Sequence, residues 1–185
     1  LDISNKLIDF KNSKNYSSIK SSEIFFFDKV LSSYEKYLND VVLEEDDFLL
    51  EGHEINEFYS LEEKFLARYI SYRYKYNIYP KLNLSEDYPP CVQIEPTSIC
   101  NYRCVMCYQI DKTFSSKSKG YMGYLSLENF KLAIDELEGN VEAVTLASRG
   151  EPTLNPQIKE MLDYCRGKFL ALKLNTNASM LNEDL

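Results

Sequence analysis

The chain has 185 residues, 44% hydrophobic and 27% charged, with a formal net charge of −8. That length suits one large domain or one and a half small ones; no apolar run approaches the ~20 residues that span a bilayer, and no basic-apolar signal segment opens the chain. Residues 1–90 carry 11 Lys/Arg against 17 Asp/Glu, and residues 91–185 carry 10 against 12, so neither half offers the basic footprint that grips a phosphate backbone. These features point to a cytoplasmic protein without a membrane partner and argue against nucleic acid.

Residues 1–22 are polar, rich in Asn, Ser and Lys, and read as a poorly ordered arm with one helical turn. Over 23–42, Phe26, Phe27, Val30, Leu31, Tyr34, Tyr37, Leu38 and Val41 recur at spacings of three and four, the signature of a helix face. Glu44–Asp47 is an acidic break. A second, longer helix is expected over 54–78, with Leu61, Phe65, Tyr69, Tyr72 and Tyr76 on one stripe and Tyr79-Pro80 as its end. A tyrosine stripe of this kind favours packing with a polar edge over a binding surface; recognition of a peptide leader is the other reading of this front section. PKLNLSEDYPP (80–90), with three prolines, reads as a linker.

After it the pattern changes. VQIEPTS (92–98) reads as a strand, 108–124 as a long loop, and Ser126 as the cap of a helix that Gly139 stops. VEAVTLA (141–147) and FLALKLN (169–175) read as further strands, with a helix over 156–166 between them. Strand, helix, strand, helix, strand implies α/β architecture with a parallel sheet, preceded by a mostly helical extension over 1–90. Leu181–Leu185 reads as a helix starting at Asn182. With Leu1 rather than Met at the front, both ends read as cut, and the chain as part of a longer protein.

Five cysteines occur, Cys91, Cys100, Cys104, Cys107 and Cys165, with a single histidine, His53. An odd count with three clustered does not suit a secreted disulfide framework. CNYRCVMC (100–107) has the spacing C-x3-C-x2-C, which lets a short loop turn three thiolates toward one metal centre. Two metal chemistries fit. An iron–sulfur cluster held by three cysteines keeps one iron open for catalysis. A structural zinc needs a fourth ligand from Cys91, Cys165 or His53. Three unrelated buried cysteines is the third reading, disfavoured by the polar Asn101-Tyr-Arg103 between them; Cys91 and Cys165 read as core thiols.

CNYRCVMC resembles the signature loop of the radical S-adenosylmethionine (radical SAM) superfamily. SRGEP (148–152) resembles that family's Gly-Gly-Glu-Pro element, with Arg149 in place of a glycine. LNTNA (174–178) resembles its segment after the third strand, and 120–137 its first helix. The resemblance covers about residues 91–185 and looks most like the branch with a C-terminal SPASM or twitch domain. It implies the first βαβαβ part of a partial (β/α)6 TIM-like barrel, with a 4Fe–4S cluster on Cys100, Cys104 and Cys107. It implies SAM as second cofactor, bound near Met106, Tyr108, Ser148, Arg149, Gly150, Glu151, Pro152, Asn175, Thr176 and Asn177. Met106 stands where an aromatic is common in the family. The absent Cβ of Gly150 is expected to let backbone approach a ligand. Glu151 reads either as a carboxylate acceptor or as a charge favoured by the next helix's dipole, and Arg149 as a partner of a ligand carboxylate, Glu95 or Glu151. The implied reaction is reductive cleavage of SAM to a 5′-deoxyadenosyl radical that takes hydrogen from a peptide, protein or small molecule. A one-electron donor such as flavodoxin or ferredoxin is the implied partner. An RNA-modifying family member and a non-catalytic zinc or interaction module are the alternatives.

Overall fold

The computed structural model describes residues 3–183 and 185, which divide into two compact units, Leu1–Asp87 and Tyr88–Leu185.

The first unit is helical: α1 (Ile3–Lys11), α2 (Ser21–Leu38), α3 (Gly52–Ser60) and α4 (Leu66–Leu82). The front segment is no loose arm. Ile3, Leu7 and Phe10, spaced four and three apart, bury one face of α1, and the Phe10 ring lies 5.2 Å from that of Phe27 in α2. Ser4 is buried beside them, and exposed Asn5, Asp9 and Lys11 conceal this periodicity in the sequence. Leu7 is fully buried, so Leu7→Ala should cost about 3 kcal/mol in denaturant unfolding, whereas truncation in a loose arm would leave the midpoint unmoved.

The expected α2 ends early. Val41 lies beyond it, past Asp40 at φ 55°, and Tyr37, Leu38 and Val41 are exposed. The single long helix expected over 54–78 is two, separated by extended residues Leu61 and Glu62. Glu62 and Glu63 thereby sit at the start of the next helical segment, where the helix dipole favours acidic side chains. Nor does Tyr79-Pro80 end α4. Pro80 is accommodated in the last turn, and the helix stops at left-handed Asn83, φ 53°. The tyrosines place rings inside and hydroxyls on polar partners: Tyr34 Oη accepts from the Leu50 N–H at 3.0 Å, and Tyr74 Oη donates to the Asp46 carbonyl at 2.9 Å.

The second unit runs β1 (Cys91–Ile94), α5 (Leu127–Leu137), β2 (Ala143–Leu146), α6 (Ile158–Cys165) and β3 (Ala171–Leu174). The strands form a parallel sheet in the order β1-β2-β3. Ser126 caps α5, its Oγ accepting from the Asn129 N–H at 3.2 Å, and Gly139 takes φ 80° just past its end. Phe130 and Ile134 of α5 and Ile158, Met161 and Cys165 of α6 pack on Val144 and Leu146, with Ile94 and Leu174 against them. Side chains alternate across a strand, so the opposite face carries the in-register row Gln93, Thr145, Lys173. Gln93 and Lys173 are exposed and Thr145 half-buried.

Two short 3-10 turns, Tyr108–Ile110 and Lys117–Lys119, interrupt the long loop. Beyond it the chain returns along the extension of β1, where Thr97 bridges Tyr124 antiparallel. The helix expected to begin at Asn182 does not form among the described residues. Leu181 to Glu183 are irregular or turn, and the expected helix also includes Asp184, outside the described residues.

Candidate functional site

All three motif segments leave the same edge of the sheet. The strands are parallel and in register, so their C-terminal ends deliver residues 95–107, 147–152 and 175–179 side by side, where α/β sheets collect ligands.

The cysteine loop presents three free thiols, with Cys104 exposed and Cys100 and Cys107 half-buried. The Cys107 N–H donates to the Cys104 carbonyl at 2.9 Å, and the Tyr102 N–H approaches Cys100 Sγ at 3.4 Å. Arg103 turns back on its own loop, its guanidinium donating to the Cys100 and Tyr102 carbonyls. Among the described residues, the trio of potential ligand groups drawn within 4.8 Å of one another is Glu44, Asp46 and Asp47 of the first unit. The three sulfurs stand farther apart. As a donor set they fit a thiolate-held iron–sulfur cluster. They fit a structural zinc less well, because no further cysteine of the unit is at hand. Cys91 begins β1 while Cys100 follows its end, and Cys165 is 1% exposed in the helix-side core. His53 belongs to the first unit, exposed beside Glu51.

The turn after β2 is the most constrained part of the site. Ser148 adopts φ 141°, a strained conformation for a side-chain-bearing residue of the kind found at functional turns. Arg149 grips Glu95: its backbone N–H and Nε each donate to Oε2 at 2.9 Å, and Nη2 donates to Oε1 at 2.7 Å. Burial works against the Glu95 charge, and the Arg149 guanidinium and N–H more than offset it, holding its carboxyl below the usual carboxylate range. Gly150 is also required by the packing of the chain itself. A Cβ there would stand 1.9 Å from the Thr97 carbonyl oxygen and 2.7 Å from that of Ile99, so the missing side chain makes room for this chain's own backbone.

Glu151, 2% exposed, joins the segments. Its Oε1 accepts from the Thr153 N–H at 3.1 Å and hydroxyl at 2.6 Å and from the Thr176 hydroxyl at 2.5 Å. Its Oε2 accepts from the Asn177 N–H at 2.6 Å, while its own N–H donates to the Ile99 carbonyl at 2.8 Å. Pro152 is buried and opens a short 3-10 turn. Asn177 Nδ2 reaches the Asn101 side-chain oxygen at 3.0 Å, and Asn101 Nδ2 donates to Ser179 Oγ at 2.8 Å. The cysteine loop, the turn after β2 and the segment after β3 are thus hydrogen-bonded in a ring.

Residues 94–185, the span holding all three segments, match the Radical SAM superfamily model. The chain belongs to the radical SAM superfamily. Over 104 residues it is 32% identical to the Fe-coproporphyrin III synthase of Methanosarcina barkeri, covering 56% of this chain and 25% of that protein. It is 33% identical over 99 residues to the mycofactocin maturase MftC of Mycobacterium tuberculosis, 54% of this chain and 24% of the maturase. It is 30% identical over 90 residues to the antilisterial bacteriocin subtilosin biosynthesis protein AlbA of Bacillus subtilis, 49% of this chain and 19% of AlbA. No solved structure matches. The chain covers about a quarter or less of the length of these curated relatives. None of its described helices is long and apolar enough to cross a membrane.

Within this radical SAM segment, Met106 is 88% exposed. Tyr108 is partly exposed, with its ring edge-on to Phe114 at 6.0 Å. Asn175 is exposed, its N–H donating to the Leu146 carbonyl at 3.1 Å. Beside the turn, a pocket of about 370 Å³ is lined by Glu95, Thr97, Ser98, Tyr121, Tyr124 and Arg149, among others. Sequence reasoning missed three buried side chains that brace these segments. Thr97 Oγ1 donates to the Gly123 carbonyl at 2.8 Å. Asn155 Nδ2 donates to the Pro96 and Leu125 carbonyls at 2.7 and 3.0 Å. Gln109 holds the Ser98 and Arg149 carbonyls. Their partners lie 11 to 59 residues away, and no local pattern marks them.

Proposed function

We propose that the protein is a radical SAM enzyme whose second unit is the opening βαβαβ part of a partial (β/α)6 barrel, in the branch with a SPASM or twitch domain. Cys100, Cys104 and Cys107 would hold a 4Fe–4S cluster. The observation that carries this reading is the hydrogen-bonded ring at one sheet edge, which gathers a loop of three free thiols with two polar segments. When bound, cluster and SAM supply reductive cleavage to a 5′-deoxyadenosyl radical that takes hydrogen from a substrate, with flavodoxin or ferredoxin as electron source.

The chain's own residues bind and orient. Backbone groups of Ser148 to Glu151 present the SAM amino group with acceptors. The exposed amide of Asn175 is free to meet a ribose hydroxyl or the SAM carboxylate, whereas Thr176 and Asn177 are held on Glu151 and act by fixing that segment. Met106 and Tyr108 offer apolar surface to the adenine. Glu151, with both oxygens engaged, serves as a strut, and Glu95 fixes Arg149 at the pocket. The polar row Gln93, Thr145, Lys173 favours substrate approach on the helix-free face, since parallel strands ordinarily carry apolar residues on both faces. Relatives named for a porphyrin, a maturation and a bacteriocin support a peptide, protein or small molecule as substrate. Five cysteines outside disulfides suit a reducing cytoplasm.

The test is anaerobic reconstitution of the intact protein with iron and sulfide, followed by EPR of the reduced form with and without SAM. A four-iron signal that changes with SAM and disappears in Cys104→Ala is expected. A colourless protein retaining zinc, or a cluster indifferent to SAM, would overturn the proposal.

A further inference from the structure

Gln109 lies two residues beyond Cys107 and is 2% exposed. Its side-chain amide ties the chain just past the third cysteine to the stem of the cysteine loop and to the turn after β2. Nε2 donates to the Ser98 carbonyl, just past β1, at 2.9 Å, and to the Arg149 carbonyl, in the turn after β2. An amide N–H₂ has two donors, and both are spent on carbonyls of the site's framework. The other end of the group is the second observation. Oε1 is buried and has no hydrogen-bond partner among the described residues. An unpaired buried acceptor is costly, and native chains retain few. An apolar residue would remove that cost but would also strip the two carbonyls of their donor.

We propose that Gln109 is a positioning residue for the site: its amide sets the offset between the third cysteine and the Ser148–Pro152 turn. The inference rests on the reading that the loop holds a cluster and the turn receives SAM. One rigid group fixes both sides of the gap that SAM must fit. The Arg149 carbonyl belongs to the strained turn, directly after Ser148 at φ 141°, so loss of its donor frees the peptide most exposed to relaxation. The site is held together elsewhere by Glu151, whose N–H donates to the Ile99 carbonyl, and by Asn101, so Cys100 keeps its place beside the turn without Gln109 while the distance of Cys107 from the turn is no longer set.

The experiment compares wild type, Gln109→Met and Gln109→Asn in the intact, anaerobically reconstituted protein. Met keeps the length and removes both donors; Asn keeps the amide but shortens its reach. Three readings are taken: iron per chain, melting temperature, and the SAM concentration giving half the maximal change in the EPR spectrum. Gln109→Met is expected to retain the iron of wild type and to require about tenfold more SAM, the loss expected when two buried hydrogen bonds are removed. Gln109→Asn should lie between the two. A variant that melts lower but titrates with SAM like wild type would make Gln109 merely structural and overturn the inference. If Gln109→Met does not fold, Gln109→Asn carries the test, and an unshifted titration there has the same meaning. A wild-type cluster that does not respond to SAM would instead fell the underlying reading of the site.

Discussion

Gly150→Ala is expected to unfold the second unit at a temperature lower by on the order of 15 °C. The added methyl would stand 1.9 Å from one backbone oxygen and 2.7 Å from another, and neither can withdraw cheaply. Thr97 is bridged to Tyr124 and its hydroxyl is bonded to the Gly123 carbonyl. The Ile99 carbonyl accepts the Glu151 N–H. Relief requires the turn after β2 to move off the extension of β1, breaking that bond and disturbing the Arg149–Glu95 grip. Steric insertion against fixed backbone is among the more severe single-residue changes, about 3 kcal/mol or more, and a unit of this size loses several degrees per kcal/mol. Circular dichroism melting measures it. An unchanged transition would mean that the close approach at Gly150 is not a feature of the folded chain.

Glu151→Gln should cost about 3 kcal/mol near neutral pH and flatten the acid side of the stability profile. The carboxylate receives two N–H and two hydroxyl donors in a nearly solvent-free position, and hydrogen bonds to a charged group are the strong ones. An amide there would place its own N–H₂ against those donors. Burial alone would raise the Glu151 carboxyl. The Asn177 N–H, the Thr153 and Thr176 hydroxyls and the Thr153 N–H outweigh it, so the group titrates below its ordinary 4.5. A folded-state value below the unfolded one gives stability that is complete above the ordinary value and lost as pH falls through the lower one. Urea midpoints from about pH 7 to about pH 3 should therefore fall more steeply for wild type than for Glu151→Gln. Parallel slopes would show that another carboxyl governs the acid limb.

The second unit was largely legible in the sequence because its elements carry short-range signals. Ser126 and Gly139 bracket α5, apolar runs mark β2 and β3, and the cysteine spacing marks the loop. The first unit was less so. In α1, three buried apolar side chains are outnumbered by polar neighbours. The break at Leu61–Glu62 has neither glycine nor proline, and the tyrosine stripe runs through it as though the helix were continuous. Pro80 misled in the other direction: it gives up one ladder bond, and only Lys81 and Leu82 of the helix follow it. Within the site, residue types were readable but their partners were not. Nothing in SRGEP announces that its glutamate is committed to Thr176 and Asn177 or that its glycine faces Thr97. Those ties are tertiary and depend on the strand register.

The bond from Asn101 to Asn177 spans 76 residues and the one from Asn101 to Ser179 spans 78. During synthesis the cysteine loop leaves the ribosome well before the segment that closes the ring around it. Closing so long a span has an entropic cost before any contact returns it, so these bonds belong to the late steps of folding. Until residue 179 is in place the three thiols sit on an open loop, accessible to stray metal and oxidant. The order of the chain therefore makes the nascent protein most vulnerable at the residues on which the proposed chemistry depends.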